Sequence, residues 1–444
     1  MNIPIVCYVF ILCGLCYRTK SENRVKPPVP SSFDFKEEKE NADTFDLTLS
    51  NHSNATTTRR IEKDCRVNIR DLSQRKPLLR NPESKTILLP DAAGSSIITI
   101  RAGCFIEIDC PGADILVGSL KLGEVTEALC ISGTKFRVQQ KLIQFEDIVC
   151  SRRINSIARY TTHKCFERGL EIEIGFKFSD GNFIREMTTC FDEDTREVYY
   201  SLFELSHQIG DQNTGGTRPS WTEGNFYNLD TRLNSIYPNA AQRSMINRQL
   251  GLSDNDTKYV KPTGNYYLAR GHLTARSDFI YYAQQEATFH YINSVPQWQT
   301  FNGFNWFYLE RNLRQYAANK GLDLIVMTGG YGVSALPHEI NGNPVALHLY
   351  VDDNGNKAIP VPELFWKLAY SPSTKAGIAL LGVNNPYEED VSKSIICDDI
   401  AGNLTWLTFD RTKIRAGYVF ACTISSLRKV IPQIPNYETI GILN

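Results

Sequence analysis

The spacing of apolar positions changes several times along the chain. Ile5 to Tyr17 is an uncharged apolar run, followed by Arg18 and Lys20. A bilayer span needs about 20 apolar residues, so this run reads as the apolar part of a secretory signal. Gly14 and Cys16 are small residues placed for a cut before Tyr17, and residues 1–16 are expected to be a signal peptide. Residues 17–60 lose the apolar pattern and carry charge runs such as Lys36-Glu37-Glu38-Lys39-Glu40. They cannot bury enough surface to order themselves, and are expected to form a disordered linker or propeptide.

From residue 61 to 165 the pattern becomes short β-rich runs separated by Gly and Pro turns. Examples are Thr86–Leu89, Ser96–Ile100, Cys104–Ile108 and Ile115–Val117. That is the signature of a small all-β module. Residues 166–444 mix strands with a helix. Strands are predicted at Leu170–Phe176, Tyr266–Leu268, Phe289–Ile292, Leu322–Thr328, Ala346–Val351, Glu363–Ala369 and Ile414–Cys422. A helix is predicted over Trp306–Asn319, because Trp306, Leu309, Leu313, Tyr316 and Ala317 repeat at helical spacing and Gly321 follows as a stop. The fold class is therefore α+β, one larger domain preceded by a β module.

Composition narrows this picture. The chain has 444 residues, 42% hydrophobic and 22% charged, with 48 Lys+Arg against 49 Asp+Glu and a net charge of −1. A polybasic protein that holds nucleic acid by overall charge is excluded; a local basic site is not. Of 12 cysteines, Cys7, Cys13 and Cys16 leave with the signal. The other nine show no CxxC spacing, which argues against zinc and, in an oxidising compartment, for a disulfide framework. Cys397 and Cys422 lie on apolar, strand-like runs and are expected to pair. Nine is odd, so one thiol is expected to be free or to bridge two chains. Asn51, Asn54, Asn255 and Asn403 open glycosylation sequons. The expectation is a secreted or vesicular protein, with no membrane association once the signal is gone.

The chemistry concentrates in residues 266–314. Arg270-Gly271-His272 puts a cation, a glycine and a histidine at a strand end. Asn302, Trp306, Glu310 and Arg314 follow at intervals of four, which keeps them on one side of a helix. This set suits phosphodiester hydrolysis. Mg²⁺ prefers a few oxygen ligands and keeps its waters: Asn302 is the candidate direct ligand, and Glu310 the holder of a metal-bound water. A neutral His272 would take a proton from the attacking water, and Arg270 and Arg314 would stabilise negative charge on phosphate oxygens. Each residue has a blander reading on its own: a structural histidine, an i,i+4 salt bridge between Glu310 and Arg314, a helix-capping Asn302. One mechanism requires them jointly.

The strings Arg270-Gly271-His272, Asn293-x-x-Pro296-Gln297 and Asn302-x3-Trp306-x3-Glu310-x3-Arg314 together resemble the DNA/RNA non-specific endonucleases, a ββα-metal family. The wider run Arg270–Phe279 with Pro296–Asn302 looks most like the secreted insect double-stranded-RNA nucleases. The resemblance spans roughly residues 190–430. It implies His272 as general base, Asn302 as direct Mg²⁺ ligand (Mn²⁺ able to substitute), Glu310 acting through water, and Arg270 and Arg314 on phosphate. It adds Arg218, in Thr217-Arg218-Pro219-Ser220-Trp221, as a substrate arginine, with Asn293 and Gln297 as substrate-side residues. It also implies a nucleic-acid substrate, double-stranded RNA first, then single-stranded RNA and DNA, and products with 5′-phosphate ends. A dimer is one expected assembly. The family often has Asp before Arg-Gly-His where this chain has Ala269, so another group must orient the arginine or histidine. Ala269 also sets the alternative: a catalytically silent nucleic-acid-binding protein on the same scaffold.

Overall fold

The computed structural model describes residues 63–69, 75–210 and 217–444. The signal, the linker and two sequons, Asn51 and Asn54, lie outside the described residues. The architecture is α+β and every sheet pairing is antiparallel. Residues 65–150 form the β module, with a five-stranded sheet, a three-stranded sheet and a two-stranded ribbon. Cys65–Cys130 and Cys110–Cys150 staple it.

An eight-stranded sheet forms the larger domain. Its strands are β1 (Ile157–Phe166), β2 (Gly169–Lys177), β3 (Phe183–Asp192), β4 (Glu197–Leu205), β7 (Leu324–Tyr331), β8 (Leu364–Ser371), β9 (Ala376–Val383) and β10 (Val419–Cys422), in that spatial order. The boundary expected at 165/166 is corrected: β1 crosses it and pairs with β2, and Cys165 is bonded to Cys190 on β3. β1 is an edge strand whose residues are exposed or half-buried throughout.

The strand β8 shows how the centre is built. All eight of its positions are buried, which requires cover on both faces. Leu364, Trp366, Leu368 and Tyr370 join Leu381, Phe420, Ile424 and Leu427 on one face. Phe365 and Ala369 join Trp306, Leu309 and Leu313 on the other. The period-2 alternation of a strand puts Lys367 on that second face, toward the helix.

Between β4 and β7 the chain inserts a helix α1 (Asn239–Leu250), a hairpin and a second helical segment. β5 (Leu268–His272) pairs with β6 (Ser294–Trp298), with His272 opposite Ser294. A short helix α2 (Gln299–Asn302) leads into α3 (Asn305–Lys320). The predicted helix is present, and Gly321 ends it with φ 64°, a left-handed stop that glycine adopts without strain. The predicted strand at Phe289–Ile292 is instead a single bridge at His290 and a 3-10 turn at Tyr291–Asn293. Ile414–Ala416 is also a 3-10 turn before β10. Apolar content alone does not separate such buried turns from strands.

Two glycines hold the α2 segment. A Cβ at Gly382 would lie 2.3 Å from Phe301, and one at Gly417, where φ is +86°, would lie 2.0 Å from the same ring. Phe301 is thereby wedged against β9 and the turn before β10, which fixes the next residue, Asn302.

Cys397 and Cys422 are bonded as expected, although Cys397 sits in a bend and not on a strand. The ninth cysteine, Cys104, is disulfide-bonded too, which removes the free-thiol half of the expectation that one cysteine is free or bridges two chains. Asn255 and Asn403 are exposed. Among the described residues no helix is long and apolar enough to cross a membrane.

Gly417→Ala forces a methyl group into the Phe301 ring at a left-handed backbone position. It should destabilise the fold by about 2–4 kcal/mol, measured by urea unfolding. Unchanged stability would show that Phe301 is not held by this turn.

Candidate active site

The site is built from the β5–β6 hairpin, the loop at 217–222 and α3. His272 ends β5 with its ring between Trp221 (centroids 4.6 Å apart) and Phe289 (4.8 Å). Its Nε2 is buried without a hydrogen-bond partner. A structural histidine normally has one, since an orphaned buried polar atom costs about 1–3 kcal/mol. Burial pushes the imidazole pKa down to about 3, helped by the positive charges of Arg218 and Arg276. The ring is therefore neutral.

Arg270, two residues before it, is held by tyrosines. Its Nε donates to the Tyr291 hydroxyl at 2.8 Å and its Nη2 to Asn234 Oδ1 at 3.4 Å. The guanidinium lies 4.5 Å from the Tyr237 ring and 5.9 Å from Trp221, within cation–π range. Tyr291 and Asn234 thus orient the Arg270 guanidinium, with Ala269 contributing no side-chain hydrogen bond. Trp221 touches both Arg270 and His272 and joins them into one wall.

Arg218 is exposed and near enough to His272 to shift its titration. Arg276 acts on the same ring and was not anticipated. Neither was the use of Asp278, which binds Arg314 at 2.8 Å. Arg314 is only 3% exposed, so the expected phosphate contact is corrected: its guanidinium is committed to a buried ion pair. Asn293 is corrected as well. It is fully buried, accepts from Thr274 N–H at 3.0 Å, and donates to the carbonyls of Thr274 and Thr288. It clamps the loop that carries His272 and has no face toward a substrate. Gln297 is fully buried behind Gly271, and neither its amide nitrogen nor its amide oxygen has a hydrogen-bond partner among the described residues.

Asn302 is half-buried. Its Nδ2 donates to Gln299 Oε1 at 2.9 Å, and its carbonyl oxygen takes no hydrogen bond among the described residues. That oxygen is the atom a hard cation would use. Glu310 is set beside Lys367, Asp278 and Arg314; burial raises its pKa above the ordinary carboxylate range and Lys367 opposes the shift. Lys367, 1% exposed, donates to Thr328 Oγ1 at 2.6 Å and to the carbonyl of Leu273 at 3.2 Å. Its charge therefore sits close enough to act on Glu310 while its ammonium is anchored to the residue next to His272. A lone Lys inside the apolar run Leu364–Ser371 was the sequence signal for a buried polar arrangement, since a buried charge needs compensation. Among the described residues no three His, Cys, Asp or Glu side chains converge on a metal position. A single direct oxygen from Asn302, with a carboxylate held further off, fits a cation that keeps most of its waters.

One hairpin-and-helix unit carries the neutral histidine, Arg270, Asn302 and Glu310, the arrangement expected of a nuclease site. The family comparison supports a nuclease. The family model for DNA/RNA non-specific endonucleases matches residues 170–427, and the chain belongs to that family. A salivary endonuclease of Lutzomyia longipalpis is 27% identical over 294 residues, 64% of this chain and 66% of that protein, just under two thirds of its length. Salivary protein Tsal2A of Glossina morsitans morsitans is 21% identical, over 80% of this chain and 85% of its own. A crystal structure described as an EndoG/EndoGI complex aligns with 58% of this chain and 88% of its own at 17% identity and a TM-score of 0.34.

Two predictions follow from the burial of these charges. Asp278→Asn leaves Arg314 charged and unpaired, and should cost about 3–5 kcal/mol by denaturant unfolding; a loss below 1 kcal/mol would mean the pair is solvated. The second concerns His272. Its folded pKa lies below the unfolded value of about 6.5, so the unfolded chain takes the proton first. The stability contributed by the neutral ring is complete above about pH 6.5 and is lost as pH falls toward 3, by up to about 1.4 kcal/mol per pH unit. Between pH 7 and 5 the wild type should therefore lose up to about 2 kcal/mol more than His272→Gln. Equal losses would show that His272 titrates as an ordinary histidine.

Proposed function

We propose that this protein is a secreted, Mg²⁺-dependent endonuclease. It hydrolyses phosphodiester bonds of RNA, double-stranded RNA foremost, and of DNA, leaving 5′-phosphate and 3′-hydroxyl ends. The observation that carries the reading is His272: a neutral imidazole with an orphaned ring nitrogen, flanked by Arg218 and Arg276, at the end of a hairpin packed on α3. Family membership and the salivary endonuclease relatives support it; the apolar N-terminal run and the disulfides support secretion.

The residues divide the work as follows. The neutral His272 imidazole takes a proton from the attacking water. Burial, and after it the charges of Arg218 and Arg276, keep the free imidazole weakly basic. A bound phosphodiester offsets their charge, so the ring gains basicity when substrate is in place. Arg270, braced by Tyr291 and Asn234, presents a fixed guanidinium to the phosphate. Asn302, through its carbonyl oxygen, and Glu310, through a water, are the residues that would hold Mg²⁺. When bound, the cation supplies positive charge to the phosphate and the leaving oxygen. Lys367 and Arg314 keep the Glu310 carboxylate in place without touching substrate.

The test is direct. Purified protein is incubated with double-stranded RNA, single-stranded RNA and double-stranded DNA, with Mg²⁺ or with chelator. Cleavage in Mg²⁺ and none in chelator is expected. His272→Ala should lower kcat by at least about 100-fold while the unfolding midpoint at pH 8 stays near wild type. Asn302→Ala should lower activity and raise the Mg²⁺ concentration needed for half-maximal rate. Metal-dependent binding with no cleavage of any substrate would point to the silent binding protein instead.

A further inference from the structure

The outer face of α3 begins with aromatic rings where a solvated helix carries charges. Phe304 at its N-cap, and Phe307 and Tyr308 in its first turn, are 45%, 44% and 42% exposed. Five Phe, Tyr or Trp side chains are exposed among the described residues, and three of them are these. Positions three and four apart are neighbours on a helix, so the three share one face, while Trp306, Leu309 and Leu313 turn to the core. Rings left in water forgo the burial that stabilises a core, and a contiguous group of them marks a contact surface.

The group is held rigidly beside the candidate metal residue. Asn302 ends α2, and the N–H of Phe304, two residues on, donates to the carbonyl of Phe301 at 3.1 Å. Tyr308 lies edge-on to Phe307 (centroids 5.4 Å apart) and stacks on Phe409 (6.1 Å). The segment bearing Phe409 is tied along α3. Thr408 N–H donates to Asn312 Oδ1 at 2.8 Å, and Asn305 Nδ2 donates to the carbonyls of Asp410 at 3.1 Å and Gly417 at 2.7 Å. Its turn Ile414–Ala416 packs against α2. That turn presents Arg415, which is exposed and has no hydrogen bond or ion pair among the described residues. Lys413 beside it is exposed as well, 3.6 Å from Asp410. Ring faces, an unengaged guanidinium and the Asn302 amide therefore meet at one end of α3.

We propose that Phe304, Phe307 and Tyr308 form a stacking platform for unpaired nucleobases of single-stranded RNA or DNA, with Arg415 on the backbone phosphates that those bases bring with them. The proposal rests on the nuclease reading for the class of ligand. Every base has a π-face, so a platform of rings holds single strands of any sequence. In a duplex those faces are already stacked on one another, and protein rings engage bases that are splayed out of the stack. A duplex is therefore held by its phosphates and leaves the platform unused. Arg415 supplies the charge complementarity locally, in a chain whose net charge of −1 gives no bulk field to retain a polyanion.

The experiment uses the full-length protein in chelator, with a fluorescent RNA strand of about 12 nucleotides and the same strand paired with its complement. Binding is read by anisotropy. Phe304→Ala and Phe307→Ala are each expected to weaken single-strand binding about tenfold relative to duplex binding. Phe307→Trp, which keeps a ring, should hold the ratio at the wild-type value. Arg415→Gln should reduce the slope of log K against log salt by about 0.7 for the single strand. With the wild-type protein, removing one base at a time from the strand should weaken binding by a similar factor at one or two positions. An unchanged ratio in both alanine variants overturns the proposal, and so does equal binding of every abasic strand. Sedimentation covers a second copy of the chain as occupant: a wild-type dimer that Phe307→Ala splits, with single-strand binding unchanged, also overturns it. Base-dependent binding by a protein that cleaves nothing in Mg²⁺ removes the nuclease reading and leaves the platform standing.

Discussion

Four ionisable side chains meet between α3 and the sheet: Asp278, Arg314 and Lys367 are buried and Glu310 is half-buried. Arg314 is paired with Asp278 at 2.8 Å, while burial favours the neutral form of Glu310 and the charge of Lys367 opposes it. Removing Asp278 leaves the Arg314 charge unpaired in a low-dielectric interior, which costs far more than a surface pair contributes. The quartet draws on three elements: the sheet strand β8, the helix α3 and the turn after His272. It locks the helix to the sheet at one rotation and one height, and so fixes where Glu310 stands relative to the hairpin. A core of leucines in the same place would hold the helix on with less angular definition.

The quartet also shows what was legible in the sequence and what was not. Helix α3 was readable because five apolar residues repeat at helical spacing. The His272, Asn302 and Glu310 set was readable because spacing by four places side chains together. Arg314 shared that spacing, and its environment was not readable: i,i+4 geometry says that Glu310 and Arg314 are neighbours, and nothing local says that Asp278 reaches across from a 3-10 turn to claim the guanidinium. Asn293 was misread for a related reason. Motif residues that hold backbone and motif residues that hold substrate look alike until burial is known. The reverse failure is Lys367, a long-range partner 57 residues beyond Glu310, brought near only by the pairing of β7 with β8.

The β module is joined to the nuclease domain by more than a tether. Arg80 makes a two-pronged contact with Asp109 at 2.8 Å, lies 3.3 Å from Asp180 in the β2–β3 turn, and stacks over Phe178. Tyr281, just past the His272 loop, donates to the carbonyl of Leu88 in the module. One apolar cluster runs from Cys65 to Leu443 without a break. The two parts therefore share a core, and the loop carrying His272 is braced from both.

The edge strand β1 has a consequence for how the protein behaves in concentrated solution. An open sheet edge is a template for pairing with another chain, and flat apolar edges invite fibrous association. Here the edge carries Arg159, His163 and Lys164 at exposed positions, its ladder with β2 is interrupted by register shifts at Tyr160–Lys164 and Lys164–Phe166, and Cys165 ties its end back to β3. A second molecule approaching this edge meets Arg159 already paired with Glu173, the solvated side chain of Lys164 and a broken hydrogen-bond register. The far edge, β10, is fully buried. With one rim charged and irregular and the other enclosed, the largest sheet of the molecule is protected against growing by strand addition.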